Sequence, residues 1–492
     1  MKSPKYLYLM LAVGIGLGQG TEAIAEIHPQ LQITPETIDL SFSRTQEIMT
    51  LSTQNCKDRK AEIDTYLQAH HALRRFSGAV AIACDGETVF SQGYGMADLA
   101  HQVPNTPQTK FRLGSITKQF TAAAILQLQD RGLLNVQMPV VTYLPDYPNE
   151  GVTLHHLLTH TAGIPNLTSF PDYPEWMRLP TTLNDLIARF VDLPLAFESG
   201  EQFSYSNSGY VLLTQTIEVV SGQSYANYLE EHLFEPLGMN DTGYEFPLAI
   251  IERLASGYQG TDDGYQEAEY INMDVPQGAG GLYSTVENLM RWNQFLFGDD
   301  RDREILSDES VTAMTSPLVL MDSENEPDIF YGYGLIVNQS EQGRIGHGGG
   351  INGFVSSLSY LPDRDLTIAI LSNVVTADLG RISKDLAAIL LGKPYELPTL
   401  PDTVAVNPTV YQRYIGTYRL SPEFEIEITV EFDRLYARGT GQPRIALYPS
   451  SETEFFAREI ELRITFNLGE DNRVESLTLR QNDREIVAPK VQ

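Results

Sequence analysis

The sequence has only two cysteines in 492 residues, which rules out a disulfide-stapled scaffold and leaves room for one bridge at most. It has no cluster of lysine or arginine, and 34 basic against 64 acidic residues give a net charge of −30. That balance argues against nucleic acid and anionic membrane surfaces as partners, so the acidity reads as solubility. No segment of the mature chain is apolar for long enough to span a membrane. Repeats and low-complexity tracts are also missing. What is present is a globular composition, 42% apolar, long enough for two or three domains.

Lys2 and Lys5 precede an apolar run over residues 6–18, and Ala23-Ile24-Ala25 follows as a small-x-small cleavage site. Residues 1–25 therefore read as a secretory signal peptide, with an uncleaved anchor as the alternative, and the destination is periplasmic or extracellular. An exported chain permits a disulfide between Cys56 and Cys84. A helix from Cys56 to about His71 and a strand over residues 77–84 would each run roughly 23 Å. Packed antiparallel, they bring the sulfurs to one end; two unpaired buried thiols are the other possibility.

Residues 26–55 show no periodicity and are left as a leader. From 56 to 392 strand patterns at both ends (77–83, 88–94, 354–360, 366–371) enclose helical ones (153–160, 183–191, 209–220, 225–233). Ser284 with Glu287 predicts a capping box for a helix over 285–297. This order indicates an α+β domain, an antiparallel sheet flanked by helices. Residues 393–408 carry four prolines without apolar periodicity and form a linker. Beyond it, 409–492 alternates apolar and polar residues, most strictly over 424–432, and predicts a small all-β, barrel-like domain.

The chemistry begins at residues 111–128, where Ser115 and Lys118 open a long apolar helix behind Gly114. Three residues apart on a helix, the two side chains share a face. The helix dipole favours negative charge at Ser115, and burial lowers the pKa of Lys118 toward that of a base. This is an activated nucleophile with its partner. Four Tyr-x-Asn triplets occur, at Tyr147, Tyr205, Tyr225 and Tyr270. Only Tyr205-Ser206-Asn207 lies in a polar turn directly before a helix, where it can face a cleft. The chain's one His-x-Gly is His347-Gly348-Gly349-Gly350, at a sheet edge where a substrate backbone could pair. The N–H of Gly350, with that of Ser115, would make an oxyanion hole.

Together these elements resemble the serine hydrolase family of class C β-lactamases, secreted D,D-peptidases and related esterases. The stretches 156–163, 234–239 and 280–284 support the likeness. The resemblance implies a β-lactamase/transpeptidase-like fold and an acyl-enzyme on Ser115, with Lys118 and Tyr205 as catalytic partners whose division of labour stays open. It implies substrate contacts from Asn207, His347 and Gly349, and no cofactor. A histidine at 347, where class C β-lactamases carry lysine, points to a peptidase of the D,D-carboxypeptidase kind or an esterase acting on small peptides, esters or peptidoglycan fragments. A β-lactamase, or a cell-wall-fragment sensor without turnover, is the alternative. An unperturbed His347 would be largely uncharged near neutral pH, so its hold on a substrate carboxylate would be partial and would strengthen as pH falls. The C-terminal domain is similar to the lipocalin-like extension of some peptidase members. A metal hydrolase built on His155, His156 and His160 is the rival reading, weakened because no acidic residue stands between the histidines.

Overall fold

A computed structural model describes residues 53–491 apart from 262, 323–325, 341–342, 423, 443 and 482–483. The expected signal peptide, and all of the leader but its last three residues, lie outside this range.

An eight-stranded antiparallel sheet carries the first domain, in the order Val319–Asp322, Glu326–Tyr331, Ile336–Asn338, Arg344–Ile351, Phe354–Leu361, Leu366–Ser372, Gly78–Cys84 and Glu87–Tyr94. Alternation assigns its two faces. Along Gly78–Cys84, the alanines 79, 81 and 83 face one core, and Val80, Ile82 and Cys84 face the other. Small residues on the first side make room for the large helical core around Thr117–Asp130. On the second side pack the helices Lys60–Ala72 and Leu379–Leu390. Cys56 and Cys84 are joined by a disulfide in this second layer, closing a loop of sequence separation 28.

Several boundaries differ from the sequence expectation for local reasons. The helix over Val286–Phe297 is capped one residue later than expected, because Ser284 ends a strand and the Thr285 side chain accepts from Asn288 N–H. The expected helix from Cys56 is broken at Arg59 into Thr53–Asp58 and Lys60–Ala72. Asn207, expected just before a helix, is the first residue of Asn207–Ser221.

The C-terminal domain is a second eight-stranded antiparallel sheet, Gly416–Ser421 through Arg484–Pro489, whose ends are brought together by a bridge between Tyr418 and Lys490. Tyr411, Tyr414, Tyr418, Phe455 and Phe466 fill its interior, with Tyr414 and Phe466 stacked at 4.1 Å. It docks through the buried Arg75, which donates to the carbonyls of Arg458 at 3.0 Å and Ile460 at 3.1 Å. Arg381 pairs with Glu461 beside it. Arg75 and Arg381 flank the second layer, so the barrel sits across the sheet from the helical core that holds Ser115.

Candidate active site

Ser115 occupies a 3₁₀ turn, Gly114–Ile116, that leads directly into the helix Thr117–Asp130. The turn is set from both sides. Arg112, in the strand just ahead, grips Glu245 with two bonds of 2.8 and 2.6 Å, a bidentate pair that fixes orientation. Gly114 has φ +54, and a Cβ there would meet Gly350 N at 2.8 Å. The Ser115 turn and the glycine-rich strand are therefore in backbone contact.

Lys118 is fully buried as the second residue of this helix, one turn on from Ser115, and its Nζ lies 3.1 Å from Ser115 Oγ. It donates to Asn207 Oδ1 and to the Ala279 carbonyl, each at 2.8 Å. Burial without a carboxylate partner pulls its pKa well below the usual lysine value. Tyr205 stands over the same group: Lys118 Nζ is 4.8 Å from its ring centroid. Burial raises the Tyr205 phenol above its usual pKa, and a hydrogen bond with Ser115 offsets part of the rise. Ser115 Oγ is thus bonded to Lys118, with the Tyr205 phenol beside the pair.

Asn207 turns inward. Its Oδ1 serves Lys118, and its amide nitrogen donates to Asn166 Oδ1 at 3.3 Å and Thr168 Oγ1 at 3.1 Å. Nothing in the sequence marked Asn166, Thr168 or Ala279, which reach the site from loops and a short helix far along the chain.

His347 and Gly348–Gly350 lie on the strand Arg344–Ile351. The neighbouring strand pairs with residues 344–346 only, so from His347 onward this edge has no partner strand among the described residues. Ile351 and Phe354 close a two-residue hairpin, and ladder alternation then turns the N–H of Gly350 toward the open edge. Gly349 is required for a reason other than substrate approach. A Cβ on it would lie 1.9 Å from the Leu113 carbonyl and 2.9 Å from Ser115 N; the chain's own Ser115 turn fills that space.

The gain of charge expected on His347 as pH falls is corrected by the structure. The ring is buried, its Nδ1 is 2.5 Å from the Gly348 carbonyl and its Nε2 is 3.1 Å from Tyr331 Oη. A carbonyl only accepts, so Nδ1 carries the hydrogen and Nε2 accepts from the tyrosine. Burial, reinforced by Lys118, lowers its pKa to about 3. Tyr331, sixteen residues away, is the residue sequence reasoning lacked.

The three histidines of the metal reading diverge. His155 Nδ1 meets Tyr333 Oη at 2.7 Å, His156 Nδ1 accepts from Thr153 N–H at 3.3 Å, and His160 Nδ1 accepts from Ser206 N–H at 3.1 Å.

An antiparallel sheet flanked by helices, with a serine–lysine pair at the head of the buried helix, defines a serine hydrolase of the β-lactamase and penicillin-binding-protein kind. The chain belongs to the Beta-lactamase family, whose profile matches residues 63–392, and a domain of unknown function (DUF3471) matches 400–489. A penicillin-binding protein of Bacillus subtilis (strain 168) is 33% identical over 437 residues, covering 84% of this chain and 95% of that one. Among solved structures, an octameric penicillin-binding protein homologue from Pyrococcus abyssi superposes with a TM-score of 0.62 at 28% identity, over 87% of this chain and 99% of that one. A D-stereospecific amidohydrolase from Streptomyces sp. does so with a TM-score of 0.57 at 25% identity, over 68% and 99%.

Proposed function

We propose that the protein is an exported hydrolase that cleaves peptides, amides or esters through an acyl-enzyme on Ser115. The observation that carries this reading is the contact of Lys118 with Ser115. A neutral amine has two hydrogens and one lone pair. The oxygens of Asn207 and Ala279 can only accept, so they take both hydrogens and leave the lone pair for the Ser115 hydroxyl. Lys118 then takes the proton as Oγ attacks the carbonyl, and the N–H groups of Ser115 and Gly350 receive the developing oxyanion. Tyr205, kept protonated by its raised pKa, donates to the leaving amine or alkoxide and is reprotonated from Lys118. Water, activated in reverse, releases the acyl group.

Two findings support the substrate class and the compartment. A relative in fold is a D-stereospecific amidohydrolase and another relative is a penicillin-binding protein, which favours D-amino-acid peptides or amides, peptidoglycan fragments among them. The Cys56–Cys84 disulfide favours an oxidising, extracytoplasmic setting. A neutral His347 engaged at both nitrogens disfavours tight binding of carboxylate-bearing β-lactams, so a penicillin should acylate slowly and turn over poorly. The test is labelling with a fluorescent phosphonate followed by peptide mass spectrometry, beside hydrolysis of a D-Ala-D-Ala peptide, a D-amino-acid amide, a p-nitrophenyl ester and a chromogenic cephalosporin. An adduct on the Ser115 peptide that disappears in Ser115→Ala is expected. Equal labelling of that variant, or fast turnover of the cephalosporin alone, overturns the reading.

A further inference from the structure

His160 follows the short helix Leu154–Leu158 at φ +59, a left-handed conformation in which glycine or asparagine sits more easily than a ring-bearing residue. Its contacts converge on a single neighbour. The His160 carbonyl accepts from Ser204 N–H at 2.8 Å, and its Nδ1 accepts from Ser206 N–H at 3.1 Å. Between those two residues stands Tyr205, on whose ring the imidazole lies at 4.1 Å and 33°. The backbone on both sides of the tyrosine and the tyrosine ring itself are therefore held by one side chain and its carbonyl.

The rest of the pocket fixes His160 in turn. Tyr331 meets the imidazole edge-on at 4.7 Å, Tyr210 lies at 5.1 Å and Phe203 at 5.9 Å. Acceptance at Nδ1 places the hydrogen on Nε2, which has no hydrogen-bond partner among the described residues. Burial keeps the ring neutral.

We propose that His160 is the positioning residue of Tyr205, holding the phenol at the angle from which it serves Ser115 and the leaving group. The inference rests on the role of Tyr205 proposed above. It accounts for a histidine at a backbone position suited to glycine, and it gives the third histidine of the 155–160 stretch a task without metal.

Three variants separate the components. His160→Asn tolerates the left-handed backbone and offers an acceptor to Ser206 but has no ring to stack; His160→Phe keeps the ring and loses the acceptor; His160→Gly loses both. Steady-state kcat and KM on a p-nitrophenyl ester are measured across pH, with melting temperature as the control for folding, beside Tyr205→Phe. The expected result is a fall in kcat of tenfold or more in the asparagine and phenylalanine variants, a larger fall in the glycine variant, KM within about twofold, and a displaced alkaline limb. His160→Asn that fails to fold, or that folds and keeps the wild-type kcat and pH profile, overturns the proposal. If Tyr205→Phe itself retains full activity, the role of Tyr205 is what fails, and the positioning proposal falls with it.

Discussion

Lys118 Nζ lies 3.1 Å from Ser115 Oγ while its other hydrogen bonds go to two oxygens, Asn207 Oδ1 and the Ala279 carbonyl. The lysine is thereby aimed, and burial sets its pKa low. Asn207→Asp replaces the neutral acceptor at 2.8 Å with a carboxylate, which favours the ammonium form. The acidic limb of kcat/KM should move to higher pH, with activity near pH 7 reduced ~10-fold or more, in the range a displaced general base costs. Lys118→Ala should remove acylation altogether, because residues that act as a unit fail together. A pH–rate profile of Asn207→Asp that overlays the wild type would show that Asn207 does not tune the lysine.

The glycine-rich strand offers a paired test of packing against chemistry. A methyl on Gly349 has to displace the Leu113 carbonyl or Ser115 N, whereas a methyl on Gly350 meets nothing within 4 Å. Gly349→Ala should shift the nucleophile turn, cutting phosphonate labelling ~100-fold and costing roughly 1–3 kcal/mol of stability, as overpacking does. Gly350→Ala should fold as the wild type and keep its N–H for the oxyanion. Equal labelling rates in the two variants would contradict this account of the turn.

Much of this site was legible in the sequence because its signals are local. Ser115 and Lys118 are related by helical spacing, and Tyr205 stands out among four similar triplets by its place before a helix. The strands of the C-terminal sheet follow their alternation, whereas Val319–Asp322 and Glu326–Tyr331 of the first sheet were not marked. What stayed hidden depends on partners remote in the chain. The neutrality of His347 needs Tyr331 and the surrounding burial; the inward turn of Asn207 needs Lys118, 89 residues away. The need for glycine at 349 comes from the backbone of Leu113, brought there by sheet packing. The helix cap moved from Ser284 to Thr285 because a strand pairing claimed Ser284 first.

Acid stability follows from buried neutral histidines, His160 among them. His70 and His347 are each lowered to about 3 in the folded protein, chiefly by burial. Between pH 3 and 6.5 the unfolded chain binds these protons and the native state does not, so stability falls as pH falls through that window. The slope is at most about 1.4 kcal/mol per pH unit for each histidine. The urea midpoint should therefore drop steadily below pH 6.5, and less steeply in His70→Phe. The same shift predicts that the ratio of KM values for a carboxylate-bearing peptide and its amide stays constant from pH 5.5 to 8. A ratio that rose in favour of the carboxylate as pH fell would mean that His347 is charged in that range.

The disulfide is expected to matter for the fold and not for the chemistry. It closes a loop of sequence separation 28 in the layer across the sheet from Ser115, worth roughly 3.5 kcal/mol in the chain-entropy treatment. Cys56→Ser with Cys84→Ser should lower the denaturation midpoint by that order while the labelling rate of the folded protein is unchanged. Full stability of the double variant, or of the wild type in strong reductant, would argue that the bridge constrains little.

The barrel raises the question of whether a second domain shapes the cleft. It is anchored by Arg75, whose guanidinium is taken up by backbone carbonyls of the 457–460 loop, and by Arg381 on Glu461. Both arginines belong to the layer behind the sheet, and the interior of the barrel is filled by its own aromatic side chains. Its position supports a bracing role for the helices Lys60–Ala72 and Leu379–Leu390, in place of control over access to Ser115. Arg75→Ala takes a donor from the carbonyls of Ala457, Arg458 and Ile460, of which Ile460 keeps the Leu462 N–H, at a cost of roughly 1–3 kcal/mol for each one left buried without a partner. The variant should melt several degrees lower, with kcat/KM unchanged for both a small ester and a long peptide. A change in the ratio of those two substrates at constant stability would assign the barrel to the cleft after all.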